Sequence, residues 1–293
     1  MFLSIVIPSY RRPELILRLL ADLYAQEGAE FEVIVVDDCS PDDSVEQFKR
    51  AFPQAKVLRN EKNGGPAVAR NRGIREARGE VIVGFDSDVT VPDRHLLAKV
   101  VRAFAEHPKA SGFAFRLLEP DGVTDDKPRW WHSQPFETGK DRFFETSYFS
   151  GTAYAFRKPI LVEAGLYPEW LYMHYEEYLL ALRIMDAGGS IFYHPELTAI
   201  HHAHPVSRRS QIKTFYKPRN QILLAVDCLP TGRAIAYIVP RAVYSFIGAV
   251  FRRSLPDYFR AASSCRQMLM ARTTDRKPLS TETLRRVRSL KRA

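Results

Sequence analysis

The chain has 293 residues, 45% of them hydrophobic and 26% charged, with a net charge of +9. These values are ordinary for a soluble globular protein long enough to bury a full core, as one large domain or one domain with an appendage. The three cysteines, Cys39, Cys228 and Cys265, are far apart and lack metal-ligand spacing, which argues against a disulfide scaffold and suits a reducing compartment.

Phe2-Leu3-Ser4-Ile5-Val6-Ile7 has no basic n-region or small-residue cleavage site, and reads as a first strand rather than a signal peptide. Leu15, Ile16, Leu19, Leu20 and Leu23 then recur at helical spacing over residues 13–25. A second buried run covers 31–36, a short helix 42–51, a third strand 56–59, and a helix 66–77 with proline in its first turn. A fourth strand at 80–85 and a helix at 92–106 complete the alternation. Continuous apolar strands separated by helices predict a parallel sheet covered on both faces. Ligands bind such sheets at the carboxyl ends of the strands. The polar clusters fall there: Pro8-Ser9-Tyr10-Arg11-Arg12, Asp37-Asp38-Cys39-Ser40, Asn63-Gly64-Gly65 and Asp86-Ser87-Asp88.

Residues 119–144, polar and aromatic with Trp130-Trp131, read as a long loop of the kind that is usually functional or mobile. A helix is expected over 174–187, and strands near 190–193 and 197–201. Residues 230–293 carry 14 Lys/Arg against 3 Asp/Glu, a net +11, which leaves −2 for the first 229 residues. Within this tail, residues 234–251 are apolar apart from Arg241 and are interrupted by Pro240. A buried helical hairpin accounts for the run as well as membrane contact does. Arg252-Arg253 and the terminal Arg285, Arg286, Arg288, Lys291 and Arg292 favour an interfacial segment on an anionic leaflet, and a spanning helix is not expected.

Asp86 and Asp88 flank one residue where an apolar strand opens into a loop, an arrangement that can hold Mg2+ or Mn2+ whose other positions take substrate phosphate oxygens. Acidic loops are more often simply solvated. Asp37-Asp38 can cap a helix, or can accept hydrogen bonds from a nucleobase or ribose. Asn63-Gly64-Gly65-Pro66 is a tight turn into a helix, and its glycines allow amides to approach an anion. Arg70, about a turn further on, could face a base or phosphate.

Taken together, Pro8-Ser9-Tyr10-Arg11-Arg12, Val36 through Asp43, Asn63-Gly64-Gly65-Pro66-Ala67 with Ala69-Arg70-Asn71-Arg72-Gly73, and Phe85-Asp86-Ser87-Asp88 resemble, in order and spacing, the successive signatures of family-two glycosyltransferases. The similarity runs from about residue 3 to residue 221. It implies an α/β GT-A fold with a mostly parallel, Rossmann-like sheet flanked by helices. Residues 1–110 would form a nucleotide-sugar-binding half and 111–229 an acceptor-binding half, with a basic, partly apolar helical extension over 230–293. It also implies inverting, metal-dependent transfer of a sugar from a nucleoside diphosphate to a glycan or lipid-linked acceptor. The setting would be cytoplasmic or peripheral on the inner membrane face, with no nucleic acid as partner.

By position, the resemblance assigns Asp38, helped by Asp37, to the base, Pro8, Tyr10 and Arg11 to the nucleotide pocket, and Asn63, Gly64, Gly65 and Arg70 to its support. Asp86 and Asp88 would face the ribose and the metal, with Asp88 as the direct ligand. His174-Tyr175-Glu176-Glu177 resembles the family's acidic pair, so Glu177 is expected to be the general base, with Glu176 beside it. The family more often has Glu-Asp there and a further Asp where this chain has Leu179; first-turn acids at a helix N-terminus are the plain alternative. His201 and His202 alternate across a strand, and His201 is the expected metal ligand. Gly151 fits the floor of an acceptor site, Trp130 and Trp131 could stack on a sugar or simply pack, and Tyr216 with Arg219-Asn220 resembles a later element of the family. A nicotinamide enzyme is disfavoured because no glycine motif follows the first strand. A sugar nucleotidyltransferase would open with a Gly-rich loop and an activating Lys. A non-catalytic binder of sugar nucleotide or lipid is the remaining alternative.

Overall fold

The computed structural model describes residues 1–202, 210–271 and 276–291. Arg292 of the basic terminal run lies outside them. The chain divides into two compact units. One comprises Met1–Tyr172, Glu176–His202 and the segment from Arg285 onward; the other comprises Met173–Tyr175 and the described part of Ala203–Leu284.

The first unit is built on one sheet. Strands β1 (Phe2–Ser9), β2 (Glu30–Asp37), β3 (Lys56–Arg59) and β4 (Val81–Phe85) are parallel neighbours in the order β3-β2-β1-β4. The predicted helices between them are α1 (Pro13–Tyr24), α2 (Ser44–Ala51) and α3 (Pro66–Glu76). Pro13 and Pro66 stand at helix starts, where a missing N–H costs nothing. Ile16, Leu19, Leu20 and Leu23 of α1 are buried, as their spacing requires. Every residue of β4 is buried, the pattern of a strand covered on both faces.

Beyond β4 the sheet departs from the all-parallel expectation. After the two-residue β5 (Val89–Thr90), α4 (Leu96–Glu106) and β6 (Gly112–Leu118) come the short α5 (Phe136–Gly139), β7 (Phe144–Thr146), β8 (Ala153–Arg157) and α6 (Lys158–Glu163). Strand β8 inserts antiparallel between β4 and β6. Gly84 makes the insertion possible, because a Cβ there would lie 2.1 Å from the Tyr154 ring of β8. Since β4 and β8 pair directly, the sheet does not divide at residue 110. The helix expected from residue 174 starts later, as α7 (Glu176–Asp186), because Tyr172, His174 and Tyr175 all hold positive φ.

The two strands expected near 190–193 and 197–201 are one, β9 (Ile191–His201). It runs parallel to β6 and antiparallel to β5 and β7. Its partner register jumps from Phe115↔His194 to Arg116↔Thr198. Pro195, which cannot donate to a ladder, sits in that bulge.

The second unit is helical: α8 (Ser210–Cys228), α9 (Thr231–Phe251) and α10 (Leu255–Ala271) pack on one another. It therefore begins before residue 230, where the extension was expected. The last helix, α11 (Thr281–Leu290), brings Arg286 into the first unit, where it pairs with Glu145 and donates to the Gly189 carbonyl at 2.9 Å.

Candidate active site

Three of the four strand-end loops read from the sequence meet at the carboxyl edge of β1, β2 and β3, but the second and third consume one another. The Asp38 carboxylate accepts Asn60 Nδ2 at 2.8 Å, the Gly64 amide at 3.1 Å and the Gly65 amide at 2.7 Å, and Asn63 Nδ2 donates to its carbonyl at 3.2 Å. The glycine turn does receive an anion at the start of α3, but the anion is internal. The polar groups of Asp38, Asn63, Gly64 and Gly65 thus order the loop between β2 and α3. Gly65 has φ +86°, and a Cβ there would meet the Tyr172 ring at 2.9 Å. Asp37 is fully buried and accepts the Ser40 amide at 2.9 Å. Ser40 Oγ in turn accepts the amide of Arg11, a residue with positive φ that leaves Tyr10 exposed at the mouth of β1, after the buried Pro8.

Arg70 does not reach outward to a base or phosphate. It is 3% exposed, with Nη2 2.5 Å from Asp86 Oδ1 and Nη1 3.7 Å from Glu177 Oε1. Burial opposes its charge, but Asp86, Tyr167 and Glu177 outweigh that and hold its pKa well above the usual value. Gly151 closes the cluster: its carbonyl accepts Arg70 Nη2 at 3.4 Å, and a Cβ there would lie 2.3 Å from Glu177 Oε1. Only glycine leaves room for the carboxylate.

Glu176 and Glu177 are the first two residues of α7. Glu176 is buried, and its Oε2 has no hydrogen-bond partner among the described residues. Burial, reinforced by the neighbouring Glu177 charge, pushes its pKa well above the usual carboxylate value. Glu177 is only half-buried. Burial raises its pKa too, with Arg70 pulling against that shift. The pair thus comprises a sealed carboxyl and a more accessible one, which is the better placed to take a proton.

On the other side of Asp86, Asp88 is buried and pairs with Arg12 Nη1 at 2.6 Å, and Ser87 Oγ accepts the same nitrogen at 3.3 Å. His201 lies 3.9 Å from it, Nε2 to Oδ1, while His202 turns away to Thr90 Oγ1 at 2.8 Å. Alternation along β9 therefore puts His201 on the Asp88 side. His201 Nδ1 is 2.7 Å from Asp126 Oδ2. That contact orients the ring, with Nε2 directed towards Asp88.

No cluster of three His, Cys, Asp or Glu side chains able to hold a cation forms among the described residues. Asp86 pairs with Arg70, which leaves Asp88 and His201 as the two donors that face one another. The two remaining donors fit Mg2+ or Mn2+: their separation is within the reach of two ligands at about 2.1 Å from one ion, and a diphosphate would supply further oxygens.

Asp126, which backs His201, is a candidate that sequence reasoning missed. It lies in the loop over 119–144, which is ordered rather than mobile-looking in its contacts. Arg116 grips Asp125 through two bonds of 2.7 and 3.0 Å, and the Asp126 amide donates to the Leu117 carbonyl at 2.9 Å. The adjacent pair Asp125-Asp126 was the one available signal. Asp126→Asn, which exchanges the acceptor for an amide of similar volume, is expected to weaken Mn2+ binding in the presence of nucleoside diphosphate by about 10–100-fold. Titration calorimetry reads this, and unchanged affinity would detach His201 from the metal.

The same loop separates the two tryptophans. Trp130 packs against the rings of His132, Phe136, Phe144 and Tyr193 at 4.7–6.1 Å, and Nε1 donates to the Gln134 carbonyl at 2.8 Å. It is a packing residue, which corrects its assignment to the acceptor. Burial lowers the pKa of neighbouring His132 to about 3, so the cluster is neutral. Trp131 is exposed and stacks on Tyr148 at 5.6 Å. In the second unit, Asn220 Nδ2 donates to the carbonyls of Met173 and His174 at 2.7 and 2.8 Å, and Arg219 lies over the Tyr216 ring at 4.8 Å. Those residues hold the backbone just ahead of Glu176.

The family profile described as "Glycosyl transferase family 2" matches residues 4–165, which covers β1 to β4, the aspartates at the end of β4 and β8. The chain belongs to glycosyl transferase family 2. Over 126 residues it is 37% identical to the succinoglycan biosynthesis protein ExoO of Rhizobium meliloti, a match covering 42% of this chain and 34% of ExoO. The chain spans about a third of the length of the first curated relatives it matches. Among solved structures it resembles Staphylococcus aureus TarS in complex with UDP-GlcNAc, with TM-score 0.63, 21% identity, and coverage of 91% of this chain and 81% of that one. It also resembles the mannosyltransferase PcManGT of Pyrobaculum calidifontis in complex with GDP-Man and Mn2+, with TM-score 0.61, 20% identity, and coverage of 98% and 83%. These likenesses show the GT-A fold for this family-2 chain, with its helical C-terminal extension.

Proposed function

We propose that this family-2 protein transfers a sugar from a nucleoside diphosphate to an acceptor hydroxyl with inversion, in the synthesis of a cell-envelope polysaccharide or a lipid-linked glycan. The observation that carries the reading is the separation of roles within one cluster. Glu177 stands half-open over Gly151 with a raised pKa, while Glu176 beside it is buried and raised further, and Arg70 holds Asp86. A lone capping acid would need no such surroundings.

In this reading the loops after β1 and β2 and residue Asp86 receive the nucleoside, with Tyr10 and Arg11 at the rim. Residues after β6 form the acceptor side, at whose rim Trp131 is exposed. Glu177 takes the proton from the acceptor hydroxyl as its oxygen attacks the anomeric carbon in line, and the bond to the diphosphate breaks on the opposite side. Asp88 and His201 would hold Mg2+ or Mn2+, which when bound offsets charge on the departing diphosphate. Arg12, paired with Asp88, adds a fixed positive charge on that side. Relatives in succinoglycan synthesis and structural neighbours bound to UDP-GlcNAc and GDP-Man support a nucleotide-sugar donor.

The test is a panel of uridine, guanosine and thymidine diphosphate sugars, assayed for nucleotide release with Mg2+ or Mn2+. Turnover of at least one donor, stopped by chelation, is expected. Nucleotide binding with no turnover across the panel would leave a binding protein and overturn the proposal.

A further inference from the structure

In the helical second unit, α9 is packed the wrong way round for a helix facing water. Its buried positions are small, Ala234 and Ala249, whereas Ile235, Val239, Val243, Phe246 and Val250 are between 41% and 57% exposed. Steps of three and four residues put these five on one continuous stripe along the helix. Phe251 at its end and Phe259 and Met270 on α10 are more exposed still, while α10 buries Ala261 and Cys265. A soluble helix turns its large apolar side chains inward and leaves isolated ones outside, so a stripe of this length requires a cover.

The charge on the same two helices indicates what the cover is. Arg233, Arg241, Arg252, Arg253, Arg260 and Arg266 are all exposed, against Asp257 as the one acid between residues 231 and 271. A second copy meeting this face symmetrically would bring arginine against arginine. An anionic bilayer satisfies both features at once, taking the apolar stripe among its acyl chains and the arginines at its headgroups.

Length does not decide between spanning and lying flat, since 21 residues reach about 32 Å, enough to cross a hydrocarbon core. Two other features do. Arg241 stands mid-helix next to Pro240, and Ala234 and Ala249 keep one side of α9 on protein.

We infer that α9, with the exposed end of α10, lies in the plane of an anionic membrane surface and docks this unit on it through the stripe from Ile235 to Val250. The docking is independent of the glycosyl transfer proposed above.

The full-length protein is sedimented with vesicles of equimolar phosphatidylglycerol and phosphatidylcholine, and with vesicles of phosphatidylcholine alone. Binding to the anionic vesicles is expected, weakened by salt and released by an alkaline carbonate wash. Val243→Asp combined with Phe246→Asp changes only exposed positions and should lower the partition coefficient about tenfold or more. Arg252→Ala with Arg253→Ala should lower it about tenfold on anionic vesicles and have little effect on neutral ones. Circular dichroism melts of both variants check that folding is unchanged. Absence of sedimentation with anionic vesicles, or equal binding by wild type and both variants, would overturn the inference. Retention through the carbonate wash would replace it with a spanning helix. A lipid-free dimer abolished by the aspartate pair would assign the stripe to a second copy.

Discussion

Glu177→Gln should lower kcat by about 10²–10⁴-fold while leaving the affinity for the nucleotide donor unchanged. The substitution keeps the shape above Gly151 and the hydrogen-bonding oxygen near Arg70, and removes only the group that accepts the proton. The pH profile gives an independent check. Burial raises the Glu177 pKa above its usual value of 4.5. A base works in its deprotonated form, so kcat/KM should climb as pH rises through that raised pKa and level off above it. The midpoint should lie above the usual carboxylate range, and the residual activity of the glutamine variant should lack this limb. An equal loss in donor affinity would mean that Glu177 holds the donor. A retained acid limb would place the base elsewhere.

Asp88→Ala is the second large effect. The carboxylate it removes is shared by Arg12 and faces His201, so its loss leaves two cationic or metal-ligating groups without their common partner. With one of two protein donors gone, kcat/KM should fall by about 10³-fold, equivalent to about 4 kcal/mol of transition-state stabilisation. The Mn2+ concentration for half-maximal activity should rise steeply. Asp86→Ala should leave that concentration unchanged, because Asp86 pairs with Arg70. A steep rise for Asp86→Ala as well would return it to the metal site.

The parts of the fold legible in the sequence were those whose cause is local. Strands β1, β2 and β4 are continuous apolar runs because both faces are covered, and Pro13 and Pro66 mark helix starts through their own chemistry. The antiparallel insertion of β8 was not legible, since it depends on a residue distant in the chain, Gly84, making room for Tyr154. The start of α7 was misplaced by two residues because Tyr172, His174 and Tyr175 adopt positive φ, which nothing in their side chains favours.

In the site, residue types were easier to read than partners. Glu177, Asp88 and His201 were legible as residue types at the ends of a helix and two strands. The internal partners of Asp38 and Arg70 were not, because a sequence does not say whether an amide or an acid inside the protein will satisfy a buried charge first. Trp130 followed the plainer reading, packing among four rings.

Arg70 gives the site a property that no single residue has. One guanidinium, sealed from solvent, faces the carboxylate of Asp86, proposed on the donor side, with one nitrogen and that of Glu177, the proposed base, with the other. Its single positive charge is divided between them, so whatever draws it towards one leaves the other less stabilised. A ligand that engages Asp86 and loosens that pair would let the guanidinium shift towards Glu177. The basicity of the acceptor side would then report on the occupancy of the donor side, without any movement of the backbone between them.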